Sequence, residues 1–266
     1  MRRNRKKPLI FIMLLMFLCS ICGILWVYTQ EEIEASVYKD VEQYISSKST
    51  NAVDNVLSYQ FNYDWDELLK TNKNIIGWLY LPGNDKINFP VVKSFDNDYY
   101  LNHDYTGKWN ANGCAFIDYR TTEESQNVVI HGHNMNRSST RPIFTTLTDY
   151  WNNEEYFDSH RTLYYTKANG MTMKYKVVGV AWYNIAKQKE FTYAQRDFET
   201  EEDFRSWLEY VKKNSLFYDL GDTTIDYCKD EIITLSTCYR INGAGKNGRL
   251  SIFCVNLTND EITGGE

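Results

Sequence analysis

Ile232-Ile233-Thr234-Leu235-Ser236-Thr237-Cys238 is the stretch that decides how this chain is read. Its apolar, β-branched start predicts a buried strand. A cysteine at the tip of such a strand is held by rigid backbone, and its sulfur can face a groove. About a hundred residues upstream, Val128-Val129-Ile130-His131-Gly132-His133 predicts a second strand, ending in two histidines. Eleven residues after the cysteine, Arg249 opens a third run, Leu250-Ser251-Ile252-Phe253-Cys254. Residues 249, 251 and 253 share one face of that strand, and 250, 252 and 254 the other. Arg249 therefore points away from the apolar Leu250/Ile252/Cys254 face and toward the groove of the thiol. Thiol, imidazole and guanidinium provide a nucleophile, a proton carrier and a fixed cation, the set that acyl transfer through a thioester requires.

Taken singly, Cys238 reads as structural and Arg249 as a surface charge. Their surroundings argue otherwise. Ser236 and Thr237 flank the cysteine with small polar groups, and Gly243, Gly245 and Asn247-Gly248 form a turn that opens space beside it. The chain has four histidines, at 103, 131, 133 and 160. His131 and His133 lie two apart, but no third ligand accompanies them at recognisable spacing, so no metal is expected. Histidine is the side chain best suited to move a proton near neutral pH. The residues alone do not choose between 131 and 133.

The 266 residues open with Arg2, Arg3, Arg5, Lys6 and Lys7, followed by an uncharged run from Leu9 to Tyr28. That length suits a bilayer-spanning helix, and the basic flank predicts a cytoplasmic N-terminus with the rest outside. A cleaved signal peptide would have a shorter apolar core. The expected division is a basic flank over 1–7, an anchor over 8–29, a helical stalk with N-terminal helices over 30–70, and a catalytic domain over 71–266. Net charge is −6 with +5 in the first seven residues, so the remainder carries −11. That excludes nucleic acid as an expected partner.

Outside the apolar run there are cysteines at 114, 228, 238 and 254, too sparse for a disulfide framework. Cys114 and Cys254 read as small buried hydrophobes within strands; Cys228 has no assignable role. Residues 33–57, free of glycine and proline, read as one or two amphipathic helices, with a short helix near 64–69. Strands are expected at 78–81, 87–92, 114–119, 126–130, 163–165 and 171–182, with Pro90 marking an edge or bulge. Phe204, Trp207, Leu208 and Val211 trace one helical face, with Thr200 and Asp203 at its start and Lys212-Lys213 at its end. That helix, on the way to the cysteine strand, would wall one side of the groove.

Gly132-His133, Thr234-Leu235-Ser236-Thr237-Cys238 and Arg249 resemble the catalytic histidine, cysteine and arginine of the sortases, bacterial cell-wall transpeptidases. The likeness extends through Ile76–Gly83, Phe89–Val92 and Phe116–Arg120, covers most of 76–256, and is closest to class B. It implies a mainly β fold: an eight-stranded sortase barrel, N-terminal helices at its side and one helix before the cysteine strand. The family's glycine before the histidine selects His133. The resemblance implies that Cys238 cleaves a C-terminal sorting signal after Thr, as a membrane-anchored cysteine peptidase-like transpeptidase of the Gram-positive surface. The partners it implies are surface proteins bearing that signal and a peptidoglycan precursor or cross-bridge amine. Asn97, Leu101 and Ser236 are carried over as substrate-binding positions, and no cofactor is implied. Tyr239 departs from the family, which often has an acidic residue there.

Other readings compete. In papain-like proteases the cysteine precedes the histidine, whereas here His133 comes 105 residues before Cys238. L,D-Transpeptidases place the two much closer. A non-enzymatic, membrane-tethered wall- or peptide-binding domain would leave the thiol structural. A pilus-polymerising sortase would carry an upstream Asp-Pro-aromatic lid motif, which this sequence lacks.

Overall fold

The first element is a long helix, α1 (Lys6–Ser36). The computed structural model describes residues 6–38, 40–48, 61–135, 143–187, 192–221, 224–227, 230–241 and 243–256. Within α1, Pro8–Thr29 has a mean hydropathy of 2.8 and is exposed throughout. By length and composition it is sufficient to cross a bilayer.

The amphipathic helices expected over 33–57 do not continue past Ser36 in the described residues. A single 3-10 turn (Asp40–Tyr44) leads instead to β1 (Ile45–Lys48), which pairs antiparallel with β2 (Phe61–Tyr63). Ile45, Ser46 and Ser47 are poor helix formers, and pairing with β2 gives their backbone an alternative to helix. Val53, Val56, Leu57 and Cys228 lie outside the described residues. The short helix α2 (Trp65–Thr71) forms where expected, its Asp64 cap accepting from the Glu67 N–H at 3.0 Å.

The remaining elements are β3 (Ile75–Tyr80), β4 (Asn88–Lys93), β5 (Phe116–Ile117), β6 (Asn127–Gly132), α3 (Glu154–Ser159), β7 (Thr162–Lys167), β8 (Thr172–Asn184), α4 (Glu201–Asn214), β9 (Ser215–Tyr218), β10 (Ile232–Cys238) and β11 (Gly248–Asn256). The sheet runs β11-β10-β6-β5-β4-β3-β7-β8, and β8 pairs back onto β11. This closes an eight-stranded mixed barrel, with β9 appended to β8. The strand expected over 114–119 is only two residues long, because Asp118 turns the chain: the Thr121 N–H donates to its carbonyl at 2.9 Å. Since β5 reaches only Val92 and Lys93 of β4, Pro90 sits on a locally free edge and costs no ladder bond.

Two apolar clusters form among the described residues. The barrel interior holds Leu79, Phe89, Ile130, Ile233, Leu235, Leu250, Ile252 and Cys254. The second cluster joins α4 (Phe204, Trp207, Val211) to Ile232, Phe253 and Val255. Alternation along β10 and β11 follows directly: 233, 235, 250, 252 and 254 point in, while 232, 253 and 255 point out beneath α4. Helix α4 carries the predicted cap, with the Asp203 N–H donating to Thr200 Oγ1 at 3.1 Å.

Trp207 is fully buried, packs edge-on against Phe253 at 5.9 Å, and donates from Nε1 to the Thr192 carbonyl at 2.9 Å. It ties α4 and the 192–198 segment to the outer wall. Trp207→Ala should destabilise the domain by about 3–5 kcal/mol. Calorimetry of the full chain in detergent should show the melting temperature falling by roughly 10 °C; a shift of one or two degrees would mean that the helix is not anchored there.

Candidate active site

The register of four strands builds one row of side chains on the outer face of the barrel. Cys238 is directly opposite Arg249 in the antiparallel β10–β11 pair, and Arg249 is opposite Tyr183 on β8. On the other side β10 runs parallel to β6, with Thr237 beside Gly132 as the last pair. One residue further, His133 comes alongside Cys238. The row is therefore His133, Cys238, Arg249, Tyr183. The row beneath it is His131, Ser236, Ser251, Ala181.

Hydrogen bonding tightens the first row. The Tyr239 N–H donates to the Gly248 carbonyl at 3.0 Å. That makes 239/248 a hydrogen-bonded pair and leaves 238/249 the non-hydrogen-bonded pair next to it, where Cα atoms approach to about 4.5 Å and side chains lie closest. Arg249 Nη1 donates to the carbonyls of Lys246 and Gly248 at 2.7 and 3.0 Å. These bonds fix one edge of the guanidinium. Among the described residues, Nε and Nη2 have no protein partner and remain able to donate.

Glycine at 132 has a packing reason. A Cβ there would meet Phe144 at 2.7 Å and Ile143 at 2.8 Å. Only glycine lets the strand tip that carries His133 settle against this wall. His133 Nε2 contacts the Leu101 carbonyl at 2.8 Å. A carbonyl only accepts, so Nε2 carries the hydrogen and Nδ1 holds the lone pair. Burial pushes the His133 imidazole below its ordinary value, and the Leu101 carbonyl acts in the opposite direction.

Leu101, expected at the substrate, thus meets the candidate site through its carbonyl. Ser236 is buried one row below the thiol, and its Oγ donates to Tyr193 Oη at 2.9 Å. Asn97 sits at the far side of the histidine strand. Its Nδ2 donates to Asp118 Oδ2 at 3.1 Å, and its Oδ1 accepts from the Tyr119 N–H at 3.0 Å. Asp118, wholly buried, also accepts from Arg120 Nη2 at 2.7 Å and contacts His131 Nε2 at 3.3 Å. Burial raises its pKa, but the bonds from His131 and Arg120 outweigh that and hold the carboxyl well below the usual carboxylate range. His131 is in this way occupied with Asp118, while His133 follows Gly132, one residue past the last β6–β10 pair. Cys114 and Cys254 are buried in the core, and burial raises both thiols.

Sequence reasoning missed Tyr193 and Tyr183. The two rings stack at 5.4 Å and form the wall beside Arg249. Tyr183 is placed by β8 and its register with β11, and Tyr193 by the connection before α4, which carries no local motif; only the expectation that the following helix walls the groove pointed near them.

Comparison with known proteins identifies the family of this fold. A family model described as the sortase domain matches residues 79–256. The chain is 36% identical over 174 residues to Sortase B of Listeria monocytogenes, an alignment covering 65% of each protein. It is 28% identical over 214 residues to Sortase B of Staphylococcus aureus, covering 76% of this chain and 82% of that one. The crystal structure of Bacillus anthracis sortase B in complex with AAEK1 matches with a TM-score of 0.67 at 27% identity, over 86% of this chain and 98% of that one. With the family model running from within β3 to the end of β11, the protein belongs to the sortase family, and these relatives are its class B members.

Proposed function

We propose that this protein is a membrane-anchored class B cysteine transpeptidase, with Cys238 as nucleophile, His133 as proton carrier and Arg249 as oxyanion donor. One observation carries the reading: Cys238 pairs with Arg249 across β10–β11, and the β6–β10 pairing ends at Thr237 and Gly132, one residue before Cys238 and His133. The kinship with sortases B supports it.

In the first half-reaction the Cys238 sulfur attacks the carbonyl carbon of a threonine in a sorting signal, and the thiol proton passes to His133. Negative charge gathers on the carbonyl oxygen, where the free Nε and Nη2 hydrogens of Arg249 stabilise it. The tetrahedral species collapses with the C–N bond breaking, and His133 gives its proton to the departing amine. A thioester is left on Cys238. In the second half-reaction an incoming cell-wall amine attacks the thioester and loses a proton to His133. A new C–N bond forms, the C–S bond breaks, and the proton returns to sulfur. Helix α1 would hold the enzyme at the membrane with its basic end inside, which keeps the barrel on the side where such amines are found.

Cys238→Ala should abolish cleavage of any sorting peptide that the full chain cleaves in detergent, read by chromatography of labelled peptides. Arg249→Ala should lower kcat by roughly 10²–10³-fold with KM little changed. Arg249→Lys should restore only part of it, because an ammonium cannot reproduce the fixed fork. Parental turnover in either alanine variant rules out the role assigned to that residue.

His133 also predicts a pH effect on stability. Its folded-state pKa lies below that of the unfolded chain, near 6.5. As pH falls, the unfolded chain binds the proton first, so stability declines from about pH 6.5 down to the folded-state value and is flat below it. Urea melts across this range should show that loss in the parent and its absence in His133→Phe. An equal loss in both would mean that His133 is not held neutral by burial.

A further inference from the structure

Backbone pairing between β6 and β10 ends at Gly132 and Thr237, one residue short of His133 and Cys238. In a parallel ladder the next rung would run from the N–H of residue 134 to the Cys238 carbonyl. Here the backbone of Asn134 has turned away. It bridges to Ile143, and the following N–H, of Met135, donates to Thr145 Oγ1 at 2.8 Å. The missing rung is replaced by a side chain: Asn134 Nδ2 donates to the Cys238 carbonyl at 2.9 Å.

Two further features mark this spot. Ile143, the bridge partner, has φ 54°, a left-handed conformation that β-branched residues rarely adopt. Such outliers cluster where surrounding structure enforces them for function. Among the described residues, Asn134 Oδ1 is buried without a hydrogen-bond partner. A buried acceptor left unpaired in the free protein is one that a bound N–H can satisfy.

We propose that Asn134 is a positioning residue for the nucleophile. Its carboxamide spans the gap where the strands diverge, locks the Cys238 backbone beside His133, and leaves Oδ1 to accept an N–H from the peptide bound in the groove. Without the amide donor the last tie of β10 to β6 is at Thr237, whose Oγ1 donates to the Gly132 carbonyl at 2.7 Å. The Cys238 carbonyl beyond it is free to turn, so the sulfur can swing away from the imidazole while remaining next to Arg249. The proposal rests on the function proposed above, but its structural core does not need a substrate to be tested.

The test uses the full chain in detergent, with Asn134→Ala and the isosteric Asn134→Asp, which keeps an acceptor and loses the amide donor. In both variants the carbonyl ¹³C resonance of Cys238, read by selective cysteine labelling, should move upfield as its donor is lost, with the melting temperature near that of the parent. On a peptide that the parent cleaves, kcat should fall on the order of 10²-fold while KM stays within about threefold, the signature of a misplaced reacting atom. Asn134→Asp with parental kcat would overturn the proposal, because the donor would then be dispensable. An unmoved Cys238 resonance in Asn134→Ala would also overturn it. A parent that cleaves no sorting peptide would sink the proposed function, and the resonance would still decide whether the tether exists.

Discussion

The pairing register of β10 with β6 on one side and β11 on the other is the constraint on which the site depends. Side chains alternate between faces with a period of two, so a slip of one residue in either pairing would move a whole strand's chemistry from the outer face into the barrel. The register is fixed by what lies inside. Ile233, Leu235, Leu250, Ile252 and Cys254 fill the barrel interior, and turning any of these strands over would expose them and bury Arg249. The apolar core thus selects the arrangement in which cysteine and arginine share a face. The same core turns His133 to the outer face, since Gly132 before it faces the wall made by Ile143 and Phe144.

Electrostatics then separates the two histidines. His131 is drawn to the buried Asp118 carboxylate, which also gathers Asn97 and Arg120. His133 has no acidic side chain as a recorded partner among the described residues; its contact is a backbone carbonyl, and burial keeps it neutral. A neutral imidazole beside a thiol can take a proton. An imidazole committed to a carboxylate is placed to hold structure. The two roles, two residues apart on one strand end, come from one buried acid.

Much of this was legible in the sequence because it followed from period and composition. The apolar run before Cys238, the alternation after Arg249 and the capped helix at 201–214 each dictated an element and a face. The barrel's closure through β8 and β11 rests on long-range pairing that no local pattern encodes. The stretch from Ile45 shows the opposite failure: a glycine-free polar segment read as helix, yet a distant partner strand drew it into extended structure. Tyr183, Tyr193 and Asn134 were also invisible. Each acts through a neighbour that only the fold brings near, and an asparagine after a histidine carries no signal on its own.

The most direct measurement is a cross-link that reads the register itself. In the full chain, His133→Cys puts a second sulfur beside Cys238, where adjacent strands hold Cα atoms within the roughly 4.4–6.8 Å that a disulfide spans. Mild oxidation followed by peptide mass spectrometry should find 133 bonded to 238. His131→Cys, which lies opposite Ser236 one row away, should stay unlinked under the same conditions. A disulfide at 131 with none at 133 would contradict the account, because the histidine assigned to the chemistry would then not be the one at the nucleophile.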